Sequence, residues 1–195
     1  GWHTEETIGW MAMSEGRHTL IDGTIVEAGH VSASDEVAAS VSYSAAFNAG
    51  PLVFAQVSSD NGTGPVTNRI SDVSTTGLDV AMQEEEAADG LRATEELGWI
   101  AVENTESVLF DAAGTMAIDH TWSKLQGAAP TPTDVLLADL QTVNGPDTAD
   151  LRMLDAGQGR LIRLQEESSA DAEETHATET MAYLLGQSGS YDLYA

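Results

Sequence analysis

The chain has 195 residues, with 32 acidic against 7 basic, a formal net charge of −25, no cysteine, and Lys124 as its single lysine. So few cations leave little to displace the counterions of a nucleic-acid backbone or to hold an anionic lipid surface; the absence of thiols excludes disulfides and thiolate metal sites. Hydrophobic residues make up 42%, enough for packed cores, so the acidity marks a hydrated, self-repelling surface suited to salty water rather than disorder.

Residues 7–13 (TIGWMAM) alternate, with Ile8 and Trp10 on one face, and read as a strand. Residues 41–47 set Val41, Tyr43, Ala45 and Phe47 against Ser42, Ser44 and Ala46, while residues 52–57 form the near-continuous apolar run of a central strand. Residues 78–82, 97–102, 135–140, 161–164 and 181–185 read as further strands. Asp22-Gly23, Asn61-Gly62, Asp89-Gly90 and Asn144-Gly145 supply turn residues that tolerate positive φ. The Glu- and Ala-rich stretches 84–97 and 166–181 favour helix by composition but lack an apolar stripe, and they read as long acidic loops. The Ala/Pro/Thr stretch 128–133 is a linker-like loop. Together these elements predict an all-β fold of tandem antiparallel β-sandwich units with long acidic loops and an extra N-terminal strand.

Tandem units are expected because one phrase is written three times: HTEETIGW (3–10), RATEELGW (92–99) and HATETMAY (176–183). Each is a threonine–glutamate step followed by alternating apolar residues and a closing aromatic. Upstream, residues 51–58 match 134–141, Asn61-Gly62 matches Asn144-Gly145, Arg69-Ile70 matches Arg152-Met153, and Gln83-Glu84-Glu85 matches Gln165-Glu166-Glu167. Self-similarity at roughly 85–90 residues means one structural unit used repeatedly. The reading divides the chain into residues 1–16, the closing strand of a further repeat, and two sandwiches at 17–110 and 111–195. The surplus strand is expected to complete another unit or to pair with an open edge, here or in a neighbouring copy. No stretch approaches the ~20 apolar residues that span a bilayer. No signal peptide is recognisable and the first residue is Gly1, so the sequence reads as a mature product or a piece of something longer.

Hydrolase elbows, phosphate loops and His-Glu-x-x-His helices are absent, and the chain reads as non-enzymatic. Arg69 and Arg152 stand alike in both units; an arginine fork can grip sugar hydroxyls or a carboxylate, or pair internally with an acid such as Asp72 or Asp155. Trp99 and Tyr183 close the repeated phrase and serve either as core residues or as platforms for a sugar ring. These four are the candidate carbohydrate-binding residues. His3 and His176 take the place that Arg92 holds in the middle copy, which argues against a transition-metal ligand there. Oxygen donors at Glu84, Glu85, Asp89, Glu166 and Glu167 are the candidate calcium ligands, calcium being the one cofactor suggested.

Residues 41–77 (VSYSAAFNAGPLVFAQVSSDNGTGPVTNRISDVSTTG), followed by 78–83 (LDVAMQ), resemble an H-type lectin domain. The likeness lies in the order of elements: a strand ending in Phe, a small-residue Pro step, a Val-rich strand, a polar turn, an Arg-bearing strand and a Thr-Gly hairpin. It implies a small antiparallel sandwich that binds N-acetylgalactosamine-type or other sugars, often as a trimer. The units also resemble repeat modules of large secreted proteins of marine bacteria. The second unit departs from the pattern, with Gly157, Gly159, Arg160 and Arg163 about its hairpin. The expectation is a secreted, non-catalytic, lectin-like carbohydrate-binding module, extracellular or at the cell surface. The alternative is a structural repeat of an adhesin, surface layer or filament that assembles with copies of itself, as an oligomer or polymer. Neither nucleic acid nor membrane insertion is expected.

Overall fold

The computed structural model describes residues 8–34, 37–88, 93–125, 134–155, 159–170, 172–190 and 193–194. Among them there is no helix, and none therefore that could cross a membrane. The strands are β1 (Gly16–Leu20), β2 (Ile25–Ala33), β3 (Ala39–Ser42), β4 (Leu52–Val57), β5 (Val66–Ser71), β6 (Gly77–Glu84), β7 (Glu95–Val102), β8 (Ala112–Ile118), β9 (Ser123–Lys124), β10 (Asp134–Leu140), β11 (Ala149–Asp155), β12 (Arg160–Glu166), β13 (Glu179–Gln187) and β14 (Leu193–Tyr194).

They form four antiparallel sheets, in the orders β14-β1-β2-β7-β4, β3-β6-β5, β8-β13-β10 and β9-β12-β11. Without β1 and β14, the halves repeat strand for strand: β2-β7-β4 with β3-β6-β5 becomes β8-β13-β10 with β9-β12-β11. The all-β fold and the duplication read from the sequence are therefore present, with β4 and β10 in one and the same topological place. The stretches read as acidic loops leave β6 at Glu84 and β12 at Glu166, and re-enter at Glu95 and Glu179.

Each unit closes over its own core. In the first, Val53, Ile70, Val80, Met82, Leu97, Trp99 and Ala101 pack between the sheets; in the second, Leu140, Ile162, Leu164, Met181 and Tyr183 do so. Strand alternation sends the intervening residues outward, and they build a third cluster between the units. Leu52, Phe54 and Val102 of the first sheet meet Ala182 and Leu184 of the other. The phrase-closing aromatic needs room, which a glycine on the neighbouring strand provides. Trp99 lies opposite Gly29, where a Cβ would come 2.7 Å from the indole, and Tyr183 lies opposite Gly114.

Three expectations need correction. Residues 8–14 form no strand: Ile8 and Trp10 are 81% and 74% exposed, and the alternate residues Met11 and Met13 pack on the cluster between the units. In the 41–47 segment, strand pairing stops at Ser42. Tyr43 and Phe47 reach the core from a bend held by their N–H groups on Thr76 O (3.0 Å) and Thr75 O (2.8 Å). Of the Asx-Gly pairs described, only Gly23 has positive φ (90°). The sequence reading also passed over β1, β2 and β8, whose alternation is diluted by polar and small residues. Glu6, His3, Asp89-Gly90, Arg92 and the 128–133 loop lie outside the described residues.

Candidate functional site

The glutamate of the repeated phrase has a structural task, which explains why the step recurs. Glu95, 1% exposed, accepts the Asn61 N–H (2.8 Å), the Gly62 N–H (2.8 Å) and the Ser59 hydroxyl. Glu179, also 1% exposed, accepts the Asn144 N–H (2.7 Å), the Gly145 N–H (3.0 Å) and the Thr142 hydroxyl. The turn asparagines answer with side-chain bonds to Thr94 O (2.9 Å) and Thr178 O (2.7 Å). A buried carboxylate with several N–H donors is a strong anchor, so the phrase and the Asn-Gly turn are two halves of one clamp. Gly145 is required by close approach: a Cβ there would lie 2.5 Å from the ring of buried His176. That ring bonds Ala177 O (2.9 Å) and Asp147 O (3.1 Å).

The four candidate sugar-binding residues do not converge. Trp99 and Tyr183 are core residues, each 7% exposed, because they face inward on central strands. Arg69 is 4% exposed and reaches into the second unit, donating to Gly145 O and Asp147 O (3.1 Å each) and lying 3.8 Å from Glu179. Its protein partners lie on the neighbouring unit's turn and not at Asp72. Arg152 alone is exposed, on β11.

The units are joined at a sheet edge that would otherwise be open. β4 is an edge strand, and its free backbone groups are taken by side chains from β10 and just beyond it. Gln141 accepts from Val53 N–H (3.1 Å) and donates to Val53 O (2.8 Å), as a strand would. Asp139 accepts from Ala55 N–H (2.9 Å) and from the Asn68 amide (3.0 Å). Burial pushes the Asp139 carboxyl up to about 7 despite these donors. The acidic loop after β6 also docks on the second unit, with Glu86 N–H on Glu167 (3.0 Å) and Ala87 N–H on Ser169 (2.9 Å).

The outer face of the β9-β12-β11 sheet has a different character. Arg152 and Arg163 are directly opposite on paired strands, so their side chains share a face, and Lys124 is paired opposite Leu161 on that same face. These are three of the chain's seven basic residues. Arg163 lies 5.0 Å over the ring of Trp122, which is 43% exposed; Arg152 bonds Gln165 (3.1 Å). Among the described residues neither arginine makes an ion pair, although 32 acids were available in the sequence. Like charges directly opposite destabilise a sheet, so this face is kept at some cost. Trp122 and Arg163 fall outside the repeated motifs, so the sequence reading assigned neither of them to a binding site.

Of the calcium candidates, Asp89 lies outside the described residues, and Glu167 is occupied by the Ser169 hydroxyl and the Glu86 N–H, the first of which does most to hold its carboxyl below the usual range. Glu166 is buried, and it comes together with two residues not foreseen, Glu86 and Asp147: one oxygen of each lies within 4.8 Å of the others. Glu84 and Glu85 are not members of this group.

Fold and seam together define an all-β protein of two tandem, mutually docked β-sandwich units. No protein-family model and no solved structure matches the chain. It is similar to part of halomucin from Haloquadratum walsbyi, with 30% identity over 191 residues, covering 93% of this chain and 2% of that protein. The chain thus spans a small fraction of the length of the relative it matches.

Proposed function

We propose that this chain is a non-catalytic structural repeat of an extracellular, cell-surface protein, built to be joined to further units. One observation carries the reading: the third copy of the phrase has no sandwich of its own. Ile8 and Trp10 are 81% and 74% exposed, whereas their counterparts Leu97 and Trp99, and Met181 and Tyr183, are 7% exposed or less. A segment of strand-like sequence that is unpaired at residues 8–14 and holds Ile8 and Trp10 in water is suited to strand addition. Similarity along nearly the whole chain to a stretch of a protein named as a mucin supports the surface setting, as does the acidic exterior. Sedimentation over a concentration series tests it: the chain is expected to form larger species as concentration rises, and deletion of residues 1–16 or Trp10→Asp to hold it at one size. An unchanged size for the intact chain throughout would refute assembly through this segment.

A second reading, glycan binding, is favoured by the Trp122–Arg163–Arg152 face, an exposed ring beside two guanidinium groups that make no ion pair among the described residues. Such a face suits an anionic sugar, with the ring against the pyranose and the forks on its carboxylate or sulfate. On an array of uronate and sulfated glycans, binding is expected to fall at least tenfold in Arg163→Ala and Trp122→Ala; no glycan retained by the intact chain would dismiss this reading.

A further inference from the structure

Besides Asp139 at the seam, five acidic side chains are buried among the described residues: Glu27, Glu95, Glu103, Glu166 and Glu179. Four have an evident reason to be there. Glu27 holds Arg17 (2.8 Å) and Ser44 N–H (2.7 Å), Glu103 holds Asn48 through N–H and side-chain amide (2.9 Å each), and Glu95 and Glu179 are the turn clamps. Glu166 has no such partner: it is 4% exposed, and its Oε2 is buried without a hydrogen bond. A buried carboxylate without a donor or counter-ion is strongly unfavourable. Burial holds its carboxyl above the usual range against the opposing effect of His176, and Asp147, Glu173 and Glu86 add smaller increments of negative potential. Two basic side chains nearby are committed to backbone oxygens: Arg69 to Gly145 and Asp147, His176 to Ala177 and Asp147.

We propose that Glu86, Asp147 and Glu166 form a calcium site that pins the two units together. Opposite oxygens on a calcium ion, at 2.3–2.6 Å each, are about 4.6–5.2 Å apart, and the three donor oxygens lie within 4.8 Å of one another. Glu86 comes from the loop after β6, whereas Asp147 and Glu166 belong to the second unit, so the ion would bridge the seam. A further oxygen is at hand in the same stretch. Gln83 donates through Nε2 to Pro146 O (2.6 Å), the residue before Asp147, and its Oε1 is buried without a partner. Three ionised carboxylates would supply −3, which a divalent ion cuts to −1 and a water molecule leaves unchanged.

Thermal unfolding in calcium chloride, with ionic strength held constant by sodium chloride, tests the site, and calorimetric titration gives the stoichiometry. At 100 times its dissociation constant, calcium is expected to raise Tm by roughly 5–10 °C, with one ion bound per chain. Glu166→Gln and Glu86→Gln are expected to abolish both, and Glu86→Gln, at a partly buried loop position, retains a folded sandwich should the buried variant not fold. A calcium-independent Tm, or the same rise in the intact chain and in Glu86→Gln, would overturn the proposal. The deletion of residues 1–16 leaves this result unchanged, which separates it from assembly.

Discussion

Glu179→Ala is expected to lower unfolding stability by about 3–5 kcal/mol, the largest loss for any single acidic residue here. The substitution strips a buried acceptor from Asn144 N–H, Gly145 N–H and the Thr142 hydroxyl, and it leaves Arg69 buried beside a vanished counter-charge 3.8 Å away. Glu95→Ala breaks the equivalent clamp of the first unit but orphans no buried arginine, so a smaller loss, about 2–3 kcal/mol, is expected. Urea denaturation checks both, with exposed Glu106→Ala expected within about 0.5 kcal/mol of the parent. Equal and negligible effects at Glu95 and Glu179 would show that the repeated threonine–glutamate step has no structural role.

Trp99→Ala is expected to cost about 3–5 kcal/mol through the cavity it leaves between the sheets of the first unit. The ring packs at 5.9 Å from Tyr43 and fills the space that Gly29 vacates. Gly29→Ala is expected to destabilise by about 1–3 kcal/mol from the other side of the same contact. Trp122→Ala, by contrast, removes a half-exposed ring and is expected to leave unfolding nearly unchanged while abolishing any retention on anionic glycans. The pair distinguishes an aromatic that builds the sandwich from one that faces solvent. A stable Trp99→Ala protein with altered glycan binding would reverse that assignment.

Much of the architecture was legible because the repeat recorded it twice. The matched runs at 51–58 and 134–141 became β4 and β10, and the phrase became β7 and β13, since period-two alternation reports directly on which side of a sheet is dry. The clamp was also in view: Thr-Glu and Asn-Gly recur together in both units, yet Glu95 looked like one acid in a charged loop because spacing carries no information on burial. What the sequence withheld depends on how the units dock. Arg69 and Arg152 occupy equivalent positions, but one is covered by the neighbouring turn and the other faces water. Glu86, Asp147 and Glu166 come from three separate segments and meet only across the seam. Trp10 and Trp99 close the same phrase and have opposite fates, because a core position exists only where a second sheet is present to cover it.

The clamps bear on how such a molecule responds to salt. Dissolved ions mute interactions among exposed charges beyond a few ångströms at molar concentrations, but they reach buried pairs poorly. Glu95 and Glu179 therefore keep their grip at any salinity, while repulsion across the acidic exterior fades as ionic strength climbs. The framework and the coat answer to different variables, and the coat can be retuned residue by residue for a saltier or fresher habitat without disturbing the framework beneath.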